Sequence, residues 1–129
     1  MNESGWERLT EPQKYFYSVL NYDGQVNNGG HLQYFVNSTG NLSSDALAGL
    51  QAIGANQRSS ILSDALKVFG PNGPLPDEDE RHQQLAVFSR SQNAQLDVLN
   101  SRYYTCGENI DVLLSSYALE NKEHFSQGR

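Results

Sequence analysis

Apolar residues recur along this chain at helical spacing and nowhere in strict alternation, so a pass from end to end predicts helices alone. Thr10-Glu11-Pro12-Gln13 reads as a helix start, with a Thr hydroxyl as cap, Pro in the first turn and Gln13 at the capping-box position. Tyr15, Phe16, Val19 and Leu20 then form one apolar face. Asp23-Gly24 and Asn72-Gly73 lack the alternating flanks of a hairpin and read as helix ends or loops. A second short helix fits His31 to Asn37, entered from Gly29-Gly30 and left through Ser38-Thr39-Gly40. A third fits Ser44 to Ile53, stopped by Gly54. A fourth runs from a cap at Asn56 to Phe69, with Ile61, Leu62, Ala65 and Leu66 in its stripe and Gly70-Pro71 ending it. After the loop Gly70 to Pro76, Asp77 caps a helix with Glu80 at the capping-box position and Leu85 and Phe88 facing inward. Leu96, Leu99 and Tyr103 mark a further helix after a break near Ser91 to Asn93. Ile110, Leu113, Leu114 and Tyr117 mark a last one after Gly107. The expectation is an all-α bundle of about six short helices, forming a single domain over residues 1–129.

Composition narrows the class. With 15 acidic and 9 basic residues, the formal charge is −6. Clustered cations are what direct contact with nucleic acid or an anionic membrane requires, so neither partner is expected. One cysteine, Cys106, rules out an internal disulfide and a multi-Cys zinc site. No apolar run approaches the ~20 residues of a membrane span, and the start MNESGWERLTEP lacks the layout of a signal peptide, so a cytoplasmic protein is expected. Between Tyr15 and Gln57 only Asp23 and Asp45 are charged, the pattern of a segment that is mostly buried or faces a partner. The acids gather elsewhere: Glu3, Glu7 and Glu11 at intervals of four, and the run Asp77, Glu78, Asp79, Glu80. On a helical N-terminus the first trio would form one stripe.

The chemistry-bearing candidates are few. Asn27, Asn28, Gly29, Gly30, His31, Gln33 and Asn37 make the most unusual polar segment. Its functional reading is a polar pocket or anion nest. Its structural reading is a glycine turn whose open backbone groups are satisfied by Asn27 and Asn28. The spacing matches neither a phosphate-binding loop nor a dinucleotide fingerprint, and a calcium loop begun at Asp23 fails at three positions. His31, His82 and His124 show no metal-ligand spacing, and Cys106 has no paired base in sequence. Neither metal nor cofactor is expected, and no nucleophile-base set supports an enzyme.

The run Val26-Asn27-Asn28-Gly29-Gly30-His31-Leu32-Gln33-Tyr34-Phe35 with Asn37-Ser38-Thr39-Gly40, then Ala46-Leu47, Ala52-Ile53-Gly54-Ala55 and Ala65-Leu66, resembles a bacterial family of small helical DNA-mimic proteins. Leu96-Asp97, Arg102-Tyr103-Tyr104 and Tyr117 extend the resemblance to about residues 10–121. It implies an all-α fold and a non-enzymatic interaction module, a homodimer, whose carboxylates stand in for DNA phosphates against a basic helix-turn-helix regulator of transcription. The acids lie outside the family motif, so no contact residues carry over. The residues themselves offer Glu3, Glu7, Glu11, Asp77, Glu78, Asp79 and Glu80 as the partner-binding set, expected to converge on one face with spacings of roughly 6–7 Å. The alternative is a small-molecule or peptide site around Asn27, Asn28, His31 and Gln33, which needs a pocket into which they point.

Overall fold

A computed structural model describes residues 5–125 and is all-α, with no strand among them. The α-helices are α1 (Gly5–Arg8), α2 (Glu11–Val36), α3 (Ser43–Ala52), α4 (Asn56–Lys67), α5 (Glu78–Ala86), α6 (Arg90–Tyr104) and α7 (Ile110–Glu120). Two 3₁₀ turns, Ser38–Leu42 and Lys122–His124, complete the described elements.

The start of α2 is as the sequence predicts. Thr10 Oγ1 accepts from the Gln13 amide at 3.4 Å, and the Thr10 amide donates to Gln13 Oε1 at 2.8 Å. The helix then runs straight through Asp23-Gly24, where an end was expected. Asp23 makes no turn there because its carboxylate accepts a hydrogen bond from Tyr103 of α6. Val19, Tyr22 and Val26 bury completely on the same helix, and this tertiary packing overrides the weak helix propensity of Asp and Gly.

The break comes at Gly30, with φ +82° and ψ −179°, a region open in practice to glycine alone. The short segment beyond it folds back. Gln25 Oε1 accepts both Gln33 Nε2 at 2.9 Å and Asn37 Nδ2 at 2.8 Å. In a straight helix residues 25 and 37 would stand about 18 Å apart, out of reach of two side chains. Asn27 and Asn28, expected to cap this turn, are exposed on the outer surface of α2. The capping group is instead Asn100 of α6, whose Oδ1 accepts the His31 amide at 2.8 Å.

The chain returns through the 3₁₀ turn into α3, which runs back along α2. A Cβ on Gly49 would lie 2.8 Å from the Tyr15 carbonyl oxygen, so the two backbones touch. Gly54, at φ +83°, ends α3 as expected. The start of α4 differs from the sequence reading, since Asn56 is its first helical residue and caps nothing. Glu108, from the segment before α7, does the work: its Oε2 accepts the Gln57 amide at 2.7 Å and its Oε1 the Arg58 amide at 3.0 Å. Asp77 caps α5, accepting from the Glu80 amide at 3.0 Å. The break before α6 lies at Val87–Ser89, because Ser89 and Gln92 form a capping box and residues 91–93 are the first turn. The core gathers Val19, Tyr22, Val26, Tyr34 and Phe35 of α2 with Leu50, Leu62, Leu96, Leu99, Tyr103 and Leu114.

Candidate functional site

The uncharged motif at the α2 bend is turned inward at its centre. His31 is fully buried between Tyr22 and Asn100. Its Nδ1 lies 2.7 Å from Asn100 Oδ1, an atom that only accepts, so Nδ1 carries the proton and Nε2 accepts from the Tyr22 hydroxyl at 2.7 Å. Burial pushes the imidazole down to about 4, against the opposing pull of the Asn100 hydrogen bond, and lifts the Tyr22 phenol well above its usual range. His31 is therefore a neutral structural group at neutral pH. Tyr103 stacks edge-on against Tyr22 and lies under the Arg58 guanidinium, 4.8 Å from its ring centre. Gln33 and Asn37 are occupied by Gln25. Four surface cavities, lined for example by Asn56 and Arg102, Val98 and Leu99, Ser43 and Lys67, or Leu119 and Phe125, include none of the seven motif residues. Within the motif, Gly30, His31, Gln33 and Asn37 build the bend.

A buried cation that sequence reading missed sits nearby. Arg81 of α5 is fully buried, yet faces no carboxylate at ion-pair distance among the described residues. Its Nε donates to Phe35 O at 2.6 Å, Nη2 to Asn37 O at 2.9 Å, and Nη1 to Leu75 O and Pro76 O at 3.1 and 3.2 Å. The first two carbonyls belong to the end of α2, where open acceptors and the negative end of the helix dipole favour a cation. Gly40 leaves the space: a Cβ there would stand 2.9 Å from Arg81 Nε. The signal in the sequence was position, because Arg81 and Leu85 follow the i, i+4 spacing of the face α5 turns inward. His82 Nε2 adds a bond to Val36 O at 2.6 Å, and Gln84 ties the preceding loop through the Leu75 amide and Gly73 O.

Arg81 and its neighbours fix the acidic first turn of α5 against the fold. Asp77, Asp79 and Glu80 are exposed and Glu78 is half-buried. Among the described residues no Lys or Arg pairs with any of them; Glu78 lies 3.8 Å from His82. The other predicted acids are not part of this group. Glu3 lies outside the described residues. Glu7 belongs to α1, which ends at Arg8, while Glu11 opens α2 and accepts from the Tyr15 hydroxyl at 2.9 Å, so no single helical stripe joins them. Asn37 carries Arg81 and is tied to Gln25, which places α5 level with residue 25 of α2, roughly 20 Å along the axis from Glu11. The acids expected to converge on one face form two separate groups.

Other charges are used internally. Glu108 binds Arg58 at 3.4 Å as well as capping α4, and Asp64 pairs with Arg102 at 2.9 Å. Arg58 and Arg81 are both buried, but Glu108 goes in with Arg58, so Arg81 alone is a cation withdrawn from the surface without a matching carboxylate. Among the described residues no three His, Cys, Asp or Glu side chains gather as a metal set. No described helix is long and apolar enough to cross a membrane.

An all-α domain with a structural polar motif and an outward acidic turn is the class these observations define. The chain belongs to the DMP19-like protein family, which matches residues 7–121. This is the DNA-mimic family to which the sequence resemblance pointed. Neither the curated proteins nor the solved structures include a match to it.

Proposed function

We propose that this chain is a non-enzymatic, cytoplasmic interaction module that occupies the DNA-binding surface of a basic helix-turn-helix regulator, with the first turn of α5 as its principal contact. The observation that carries this reading is the state of Asp77, Glu78, Asp79 and Glu80: solvent-facing, without a Lys or Arg partner among the described residues, and anchored by the buried Arg81. A DNA-binding protein gains affinity by neutralising several phosphates, and carboxylates held in place present the same Lys and Arg with a comparable field. Rigidity matters because a pre-arranged array loses little side-chain freedom on binding. Glu7 and Glu11 supply a second, more distant acidic group that a partner spanning more than one contact can reach. Membership of the DNA-mimic family supports the same reading.

The test is retention of proteins from a native extract on the immobilised chain, eluted first with a double-stranded oligonucleotide and then with salt. A DNA-binding protein displaced by the oligonucleotide is the expected result. The variant Asp79→Asn/Glu80→Gln should lose that protein while keeping its thermal stability within about 0.5 kcal/mol, since neither side chain has a partner to lose. Equal retention by the neutralised variant would overturn the proposal.

A further inference from the structure

Residues 24–44 include no Asp, Glu, Lys or Arg, yet part of this segment faces solvent. Beyond the bend at Gly30, Leu32 and Val36 stand one turn apart on the same side of α2, with 45% and 39% of their surface exposed. The pair lies beside the acidic turn of α5. His82 donates from Nε2 to the Val36 carbonyl at 2.6 Å, and the same nitrogen is 3.8 Å from a Glu78 carboxylate oxygen. One half-exposed ring therefore bridges the apolar end of α2 and the acids of α5. Ala86, also exposed, continues the row of Glu78 and His82 at intervals of four. The result is a composite face: an uncharged apolar strip from α2 and, against it, four carboxylates from α5 that pair with no Lys or Arg among the described residues.

We infer that this face takes a cationic amphipathic helix of a partner protein, with its apolar residues on Leu32 and Val36 and its Lys or Arg side chains on Asp77, Glu78, Asp79 and Glu80. The inference rests on the reading proposed above and names the element of the partner that makes the contact. Charge selects the occupant, because carboxylates without a cation repel nucleic acid or an anionic membrane and attract Lys and Arg. An apolar pair at i, i+4 forms a ridge that matches a helix whose own apolar residues recur every three or four positions. A second copy of this chain does not supply such an element, since no described helix carries two exposed Lys or Arg side chains one or two turns apart. A partner that matched the carboxylates alone would leave Leu32 and Val36 in water. A helix that covers them gains a component of affinity that salt does not screen.

The probes are two synthetic peptides with the same Leu and Lys content, one ordered as an amphipathic helix and the other with Leu scattered around the helix. Each is titrated into the full chain at about 0.3 M sodium chloride, where surface charge alone is strongly screened, and followed by amide NMR. The amphipathic peptide is expected to bind about tenfold more tightly and to shift Leu32, Val36 and residues 78–86. Leu32→Ser/Val36→Ser should weaken that peptide by on the order of tenfold and leave the scrambled one unchanged. Asp79→Asn/Glu80→Gln should weaken both. If Asp79→Asn/Glu80→Gln affects neither peptide, the reading of the α5 acids falls and this inference falls with it. If the acids matter but the two peptides bind alike, or Leu32→Ser/Val36→Ser changes neither affinity, the inference alone is overturned. The comparison of peptides uses the unaltered chain, so it decides the question even where the double substitution disturbs the fold. Sedimentation equilibrium addresses the other occupant: self-association that Leu32→Ser/Val36→Ser abolishes would give the face to a second copy and overturn the inference.

Discussion

Replacing Arg81 by Met removes four hydrogen bonds while keeping most of the side-chain volume, and its effect can be worked out from the contacts. Phe35 O, Asn37 O, Leu75 O and Pro76 O each lose a charged donor at 2.6–3.2 Å. Hydrogen bonds to charged groups contribute roughly 1.5–3 kcal/mol each, but the four share one guanidinium, and the carbonyls near the surface regain water. Removal of Arg81 also relieves the desolvation cost of a buried cation. The net expectation is a loss of about 3–5 kcal/mol, a large part of the 5–15 kcal/mol typical of a domain. With a urea slope of about 1–3 kcal/mol per molar, the midpoint should fall by about 2 M. Hydrogen exchange should locate the loss: amides of α5 and of the turn after α2 should open first, those of α3 and α4 last. Arg81→Lys should recover only part of the stability, because a single ammonium cannot reach carbonyls on both sides of the cradle. A midpoint within about 0.5 M of wild type for Arg81→Met, with an unchanged slope, would refute the view that this one side chain holds α5 in place.

Further expectations follow from the bend and from the caps. Gly30→Ala forces a Cβ into a conformation reserved for glycine and to 2.7 Å from Asn100 Nδ2, and should cost at least about 2 kcal/mol in thermal unfolding. Gly29→Ala displaces the end of the Gln33 side chain from its hydrogen bond to Gln25, a part-buried contact, and should cost only about 1 kcal/mol. His31 has a folded pKa of about 4 against 6.5 unfolded, so the unfolded chain binds more protons between these values. Stability should therefore be complete above pH 6.5 and decline by about 3 kcal/mol as pH falls toward 4. In His31→Gln the pH dependence over this window should flatten, and a profile parallel to wild type would count against the buried neutral imidazole. Glu108→Ala strips the cap from α4 and the partner from Arg58, and should lower stability by about 2–3 kcal/mol in urea unfolding, whereas exposed Glu120→Ala should change it by under about 0.5.

What could be read from the sequence was local. Thr10, Asp77 and Ser89 cap helices through residues three positions on, and stripes such as Ile61, Leu62 and Ala65 face the core because spacing alone puts them there. The Ser89 cap was nevertheless passed over in favour of a break two residues later. What could not be read was supplied from a distance. Asn100 caps the helix begun at His31 from 69 positions away, and Glu108 caps α4 from 50. Neither residue type nor spacing announces such a partner. The run through Asp23-Gly24 was hidden for the same reason, since Tyr103 completes the hydrogen bonding that makes a turn unnecessary. For the candidate surface, the sequence identified the α5 acids but also grouped them with Glu7 and Glu11, which the path of α2 separates.

The bend at Gly30 depends on a clasp that the growing polypeptide acquires late. Until α6 has been synthesised, the amide of His31 and its ring have no Asn100 to engage, and the first half of the chain carries an unlatched joint. Vectorial synthesis therefore delivers α2, α3 and α4 before the element that locks their relative orientation. A fragment stopped short of α6 should behave as loosely associated helices, ready prey for proteases, and the completed domain should gain its resistance in a single late step.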